Sequence, residues 1–156
     1  MLNIGICDDD EEFICELENL LIKYLKKNNF TADIQSFSDS QDLIKYLKNE
    51  EDMDLLFLDI KLDDITGIDI GNNLRTELHN DLIQIVFVSS KESYAMQLFD
   101  IRPLNFILKP IDYKKVEYIM DEYNRLFRVQ QNFFKYHIGK QTYKIDEKSI
   151  MYLQSM

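Results

Sequence analysis

Carboxylates stand where two apolar runs of this sequence end. Asp8, Asp9 and Asp10 follow the run "LNIGIC" directly, and Asp59 is the last residue of "LLFLD". Like charges repel, so a chain that brings these groups together must share a proton between them or bind a cation. An all-oxygen set of carboxylates suits a hard divalent ion, and Mg²⁺ is the first expectation because it usually leaves positions for phosphate oxygens.

Two further polar side chains end apolar runs later in the chain. Ser89 follows "IVFV", and Lys109 follows "LNFIL". A lysine ammonium and a serine hydroxyl both bind phosphoryl oxygens. A carboxylate nucleophile, a metal ion, a lysine and a hydroxyl together form a site that can receive a phosphoryl group.

The elements that must position these groups are five apolar runs, each followed by a segment of helical periodicity. The runs cover 2–7, 32–37, 54–59, 82–88 and 104–109. Several are apolar at successive positions, which is typical of strands buried on both faces of a parallel sheet. The order predicts an α/β fold: a doubly wound five-stranded parallel sheet, flavodoxin-like with order 2-1-3-4-5, plus a short C-terminal β segment.

Such a sheet binds ligands outside the carboxyl ends of its strands, where the strand order reverses. The first and third strands are neighbours at that point, so Asp8, Asp9 and Asp59 are expected to meet. Asp10, with the glutamates that follow it, is interpreted as part of the first turn of a helix, where acids favour the helix dipole. The segment "SDSQ" at 38–41 predicts a capping box at the start of the second helix.

Residues 1–130 resemble the receiver domain of two-component response regulators. The segments that carry the resemblance are "ICDDD", "LLFLDIKLDDITGIDI" and "IVFVSSKESYAMQLFDIRPLNFILKPI", in that order. "ESYAMQLF" and "FILKPI" are most similar to receivers paired with a LytTR-type DNA-binding domain. The resemblance implies that Asp59 accepts a phosphoryl group from a sensor histidine kinase. It also implies a signalling domain that only phosphorylates and slowly dephosphorylates itself.

The resemblance also implies a metal site. It makes Asp9 a direct Mg²⁺ ligand and Asp8 a ligand through water. Asp59 and the backbone carbonyl of Lys61 complete the implied set.

The resemblance also implies that Ser89 binds one oxygen of the phosphoryl group and Lys109 another. A cis peptide bond to Pro110 would direct the Lys109 side chain. Phe106 matches the position of the aromatic residue that takes part in switching in receiver domains. The chain departs from the commoner pattern at Asp63, where many receivers have proline. Ser89 replaces the more frequent threonine, and Phe106 lacks the hydroxyl of a tyrosine.

The charge of the chain is uneven. The whole chain carries −10, and residues 132–156 carry four lysines against two acids, so residues 1–131 carry −12. The acidic majority argues against nucleic-acid binding by the chain as a whole. The shift predicts a boundary near residue 130, between a receiver domain (1–130) and a β-hairpin segment (131–156). That segment resembles the start of a LytTR-type DNA-binding domain, and DNA would be bound only through the missing remainder.

The sequence predicts a cytoplasmic protein that makes no contact with a membrane. Its apolar runs are too short to span a bilayer, its N-terminus lacks a signal-peptide pattern, and its two cysteines are expected to be reduced. The resemblance further implies a homodimer through the fourth helix, fifth strand and fifth helix.

Two other functions fit part of the pattern. Asp8-x-Asp10 after the first strand also resembles haloacid-dehalogenase-type phosphatases, which use an aspartate nucleophile with Mg²⁺. Those enzymes continue with a Gly-Thr pair and a flap, whereas here "EEF" enters a helix at once. An inert receiver-like interaction module would be expected to lack one of the polar groups at the strand ends, and this sequence has all of them.

Overall fold

The computed structural model describes residues 1–49 and 51–128, in which strands and helical segments alternate. They are β1 (Leu2–Cys7), α1 (Glu11–Lys27), β2 (Ala32–Phe37), α2 (Ser40–Lys48), β3 (Leu55–Asp59), α3 (Gly67–Thr76), β4 (Gln84–Ser89), a 3₁₀ segment (Glu92–Ile101), β5 (Asn105–Leu108) and α4 (Tyr113–Tyr123), with a π-helical turn over Asn124–Arg128. The chain divides into two compact units, Met1–Glu117 and a second one beginning at Tyr118. The predicted β-hairpin segment, 131–156, lies outside the described residues.

The strands form one parallel sheet with the order β2-β1-β3-β4-β5, which confirms the predicted fold class. The register aligns the carboxyl ends of the central strands. Cys7 of β1 pairs with Leu58 of β3, and Ser89 of β4 pairs with Leu108 of β5. The residues that follow these pairs therefore emerge along one edge of the sheet.

The core lies on both faces of the sheet. All five residues of β3 are buried, and successive side chains of a strand point to opposite faces. On one face, Leu56 and Leu58 belong to a cluster with the buried side chains of α2, α3 and the 3₁₀ segment (Leu43, Leu47, Ile70, Leu74, Leu98, Ile101). Because parallel crossovers are right-handed, α1 covers the other face, and it buries Leu17 and Leu21 completely.

Polar caps fix where the helices begin. Glu11 and Glu12 lie in the first turn of α1 as predicted, whereas Asp10 precedes the helix and its carboxylate accepts the backbone N–H groups of Glu12 and Phe13. The capping box predicted at 38–41 is wrong in detail. The residue that caps α2 is Asp39, one position after Ser38, and its carboxylate accepts the N–H of Gln41.

The predicted fourth helix is a ten-residue 3₁₀ segment, Glu92–Ile101. Side chains three residues apart line up in this geometry, so Leu98 and Ile101 are buried together. Met96 and Phe99 are 87% and 85% exposed. This segment therefore has one buried ridge and one exposed apolar ridge.

A buried arginine holds the end of the 3₁₀ segment. The Arg75 guanidinium donates to the carbonyl oxygens of Ile101 and Ile83, both at 2.8 Å, and of Asn80 at 2.9 Å. Burial, with the neighbouring charge of Arg102, lowers the pKa of Arg75. This side chain ties α3 to the start of β4 and to the last residue of the 3₁₀ segment.

Among the helices of the described residues, none combines the length and the apolar character that crossing a membrane requires.

Candidate functional site

Two buried aspartates and one exposed aspartate meet where β1 and β3 end. Asp8 is 1% exposed and Asp59 5% exposed, while Asp9 faces solvent. One carboxylate oxygen from each of the three lies within 4.8 Å of the other two. The register of β1 on β3 produces this cluster, since it sets Cys7 beside Leu58 and so brings Asp8 next to Asp59.

Lys109 enters the cluster from the end of β5. Its Nζ atom lies 2.9 Å from Oδ2 of Asp8, 3.8 Å from Oδ1 of Asp59 and 4.4 Å from the centre of the Phe13 ring. The Lys109–Pro110 peptide bond is cis. Burial alone would lower the pKa of Lys109, but the hydrogen bond to Asp8 and the charge of Asp59 raise it overall, so Lys109 is a cation here.

The surroundings of Asp59 favour the protonated form of its carboxyl group. Burial is the largest influence and raises the pKa of Asp59 to about 7, and the charges of Asp8 and Asp9 act in the same direction. The Lys109 cation and a backbone hydrogen bond from Lys61 oppose this rise without cancelling it. A carboxyl with a pKa near neutrality at a strand end is a candidate for a reacting group.

Ser89 lies on β4, the neighbour of β3, and Phe106 lies on β5, the edge strand beyond it. Ser89 is buried at the end of β4, and its Oγ accepts the N–H of Lys91 at 3.0 Å. A hydroxyl that accepts one hydrogen bond can still donate its own proton. Phe106 is half-buried, pairs with Phe87 in the sheet and packs against the core cluster. The backbone N–H of Lys109 donates to the Ser89 carbonyl at 2.8 Å. This hydrogen bond joins Ser89, at the end of β4, to Lys109, directly after β5.

The loop after β3 folds back tightly over the backbone of Asp59. The N–H of Gly67 donates to the carbonyl of Ile60 at 2.8 Å. A Cβ atom at Gly67 would lie 2.2 Å from the Asp59 carbonyl oxygen, so only glycine allows this approach. Lys61 lies in this loop with its side chain exposed.

The donor set fits a magnesium ion. Oxygens bound to one Mg²⁺ at about 2.0–2.1 Å lie roughly 3–4 Å apart, close to the spacing of the three carboxylates. When Asp8, Asp9 and Asp59 are ionised, Lys109 neutralises one of three negative charges and leaves −2. A divalent cation balances that remainder.

The structure thus brings together the predicted residues Asp8, Asp9, Asp59, Ser89 and Lys109. Asp10 points elsewhere, since its carboxylate caps α1. The acid pair Asp8-x-Asp10 of the phosphatase alternative is therefore divided between the cluster and a helix cap.

Two residues at the site escaped the sequence analysis. Phe13 is a buried core residue of α1, and its ring also faces the Lys109 ammonium. Lys115 donates from Nζ to the carbonyls of Leu108 at 2.9 Å and Pro110 at 2.8 Å. The signal for Lys115 was a lysine in the first turn of a helix, a position that usually favours acids.

Comparisons with known proteins agree with this geometry. The profile of the response regulator receiver domain family matches residues 4–121. Sensory transduction protein LytT of Bacillus subtilis is 26% identical, over 97% of this chain and 64% of its own length. LytT of Bacillus anthracis is 31% identical, over 80% of this chain and 48% of its own. The chain thus spans about half to two thirds of the length of these relatives.

A solved structure shares the fold. The response regulatory domain of protein mrkE from Klebsiella pneumoniae superposes with a TM-score of 0.69 at 22% identity. The superposition covers 80% of this chain and 96% of that one.

Proposed function

Since the chain belongs to the response regulator receiver domain family, we propose that Asp59 accepts a phosphoryl group from a phosphohistidine of a sensor histidine kinase. The observation that supports this most directly is the position of Asp59 beside Asp8, Asp9 and Lys109. The chain then acts as a cytoplasmic phosphoacceptor, with self-phosphorylation and slow self-dephosphorylation as its only chemistry.

In the transfer, a carboxylate oxygen of Asp59 attacks phosphorus while the bond from phosphorus to the imidazole nitrogen breaks. The imidazole leaves with the electron pair of that bond, and an acyl phosphate remains on Asp59. Lys109 supports the ionised form of Asp59 and, from 3.8 Å, is close enough to pair with an oxygen of the arriving group. Mg²⁺, held by Asp8, Asp9, Asp59 and the Lys61 carbonyl, would supply positive charge against the phosphoryl oxygens.

The phosphorylated state is transmitted through Ser89. Its hydroxyl can donate to a phosphoryl oxygen, and its Oγ also holds the N–H of Lys91, the residue before the 3₁₀ segment. A shift of Ser89 toward Asp59 therefore pulls on the start of that segment. Phe106, half-buried on β5, then moves into the vacated space.

The output is transcriptional control. In this proposal a second copy of the chain reads the changed face of the 3₁₀ segment, β5 and α4. In this proposal DNA is bound through a LytTR-type domain, the kind of domain that the sequence of residues 131–156 resembles. The curated relatives support this direction, since one of them is the transcriptional regulatory protein YpdB of Escherichia coli K12, 24% identical over 78% of this chain and 48% of its own length.

The test is the intact mass of the protein after incubation with a small phosphodonor such as acetyl phosphate, with and without Mg²⁺. We expect one added phosphoryl group that requires Mg²⁺ and is lost in Asp59→Asn. Asp63→Asn is the matched control, because it removes an exposed acid of the same loop.

Two results would contradict the proposal. Labelling that survives Asp59→Asn and disappears in Asp8→Asn would favour the phosphatase-type reaction. No labelling under any condition would favour an interaction module.

A further inference from the structure

Lys115, in the first turn of α4, reaches back over the loop that carries Lys109. Its ammonium donates to the carbonyl oxygen of Leu108 at 2.9 Å and to that of Pro110 at 2.8 Å. These two carbonyls lie on either side of Lys109 in the chain. A single side chain therefore holds one backbone carbonyl before Lys109 and one after it.

The geometry of the helix start directs Lys115 to this place. Its backbone N–H is held by Oδ1 of Asp112 at 2.9 Å, which fixes the first turn. Side chains on a helix tilt toward its N-terminus, so a long side chain in the first turn covers the loop before the helix. Lys115 is half-buried there, whereas its neighbour Lys114 is exposed.

The charge of Lys115 is unfavourable for the helix itself. The first turns of α1, α2 and α3 contain acids, which suit the positive end of the helix dipole, and the first turn of α4 contains none. A cation at this position gains nothing from the dipole. The two hydrogen bonds to the loop are the interactions that account for it.

The backbone around Lys109 is thus held at three consecutive points. Lys115 binds the carbonyls of Leu108 and Pro110, and the N–H of Lys109 donates to the Ser89 carbonyl at 2.8 Å. We infer that Lys115 is a positioning residue: by fixing the peptide groups around Lys109, it keeps the Lys109 ammonium between Asp8 and Asp59. The inference rests on the proposed function, because the position of Lys109 matters for phosphoryl transfer only if Asp59 is the acceptor.

The first test needs neither Mg²⁺ nor a phosphodonor. The side-chain ¹H–¹⁵N NMR signal of the Lys109 ammonium is recorded in the metal-free protein, where its pairing with buried Asp8 slows hydrogen exchange. Lys109→Arg identifies the signal by its loss. We expect Lys115→Met to broaden or abolish it, and Lys114→Met and Lys115→Arg to retain it. An unchanged signal in Lys115→Met would overturn the inference.

The second test measures the rate of phosphorylation by a small phosphodonor at saturating Mg²⁺. We expect Lys115→Met to lower the rate about ten- to a hundredfold, since a misplacement of about 1 Å can cost about a hundredfold. Lys114→Met should match the wild type, and Lys115→Arg should recover most of the rate. In a Lys109→Ala background, Lys115→Met should have no further effect.

The outcomes separate the two proposals. A wild type that is never labelled would contradict the proposed function, and the NMR signal would still decide the role of Lys115. A labelled wild type with an equally fast Lys115→Met variant would overturn the inference alone. A loss that persists without Lys109 would show that Lys115 acts by another route. Thermal melting checks that the variants fold, and Lys115→Gln replaces Lys115→Met if that variant does not.

Discussion

The ammonium of Lys109 lies 2.9 Å from the carboxylate of Asp8, a residue 101 positions earlier in the chain. Asp8 is almost fully buried and requires a positive partner, because an unpaired buried charge is strongly destabilising. Lys109 is thereby closer to Asp8 than to Asp59, where the separation is 3.8 Å. Burial and the charges of Asp8 and Asp9 raise the pKa of Asp59, and Lys109, at this longer distance, does not offset them.

This imbalance predicts a pH dependence of stability in the metal-free protein. The folded-state pKa of Asp59, about 7, lies above its ordinary value of 3.8, so its contribution to stability is full below about pH 4 and is lost as the pH rises through 7. Asp59→Asn removes the penalty. We expect this variant to exceed the wild type in free energy of unfolding at pH 8 by up to about 4 kcal/mol, and to differ little at pH 4. Urea denaturation with a chelator measures both.

In the same titration, Asp63→Asn should follow the wild-type curve. Parallel curves for wild type and Asp59→Asn between pH 4 and 8 would refute the prediction.

Magnesium should stabilise the folded protein through the aspartate cluster. A ligand at one hundred times its Kd adds about 2.7 kcal/mol to the free energy of unfolding. We expect this gain in the wild type and a much smaller one in Asp9→Asn. Asp10→Asn is the control, since asparagine caps a helix as well as aspartate does and Asp10 points away from the cluster. Equal losses in both variants would mean that the ligand set is wrong.

Gly67→Ala should destabilise the fold by about 1–3 kcal/mol and slow the phosphorylation of Asp59. The added methyl group would meet the Asp59 carbonyl at 2.2 Å, and backbone must move to relieve the contact. Gly5→Ala is the comparison, because there the methyl group meets the flexible end of Met53. Chemical denaturation and the rate of mass labelling provide the two measurements. A larger loss in Gly5→Ala would count against this account.

Arg75→Met should lower the free energy of unfolding by about 3–5 kcal/mol. It leaves the carbonyls of Ile101 and Ile83 buried without their donor, and each such group costs roughly 1–3 kcal/mol. Arg102→Met is the contrast. Arg102 pairs with Asp81 on the surface, with both side chains 63% exposed, and such pairs contribute at most about 1 kcal/mol. Similar losses in the two variants, measured by urea denaturation, would show that the Arg75 hydrogen bonds are weak.

Much of the fold could be predicted because its signals are local. Runs that are apolar at successive positions, such as Leu55–Leu58, gave the buried strands, and polar residues directly after them gave the site. After the fourth strand, the spacing of Tyr94, Ala95, Leu98 and Phe99 predicts a helix. The four-residue steps in that spacing favour an α-helix, whereas the structure buries Leu98 and Ile101, which are three residues apart as 3₁₀ geometry requires.

The contacts that sequence could not supply share one physical property. Arg75 and Lys115 both donate to backbone carbonyl oxygens, and every residue has one. No pattern of side chains marks such an acceptor, in contrast to an ion pair or a metal site. The position of either side chain becomes evident only when the chain is folded.

The 3₁₀ geometry of Glu92–Ile101 makes this segment longer than an α-helix of the same ten residues. Ten residues span about 20 Å as a 3₁₀ helix and about 15 Å as an α-helix. Any event that converts the segment to α geometry therefore withdraws roughly 5 Å of chain. Arg75 anchors the far end at Ile101, so the shortening must be taken up at Glu92, three residues after Ser89. One end of the segment is thus fixed and the other can move. The movable end lies close to the Ser89 hydroxyl, which would bind a phosphoryl oxygen.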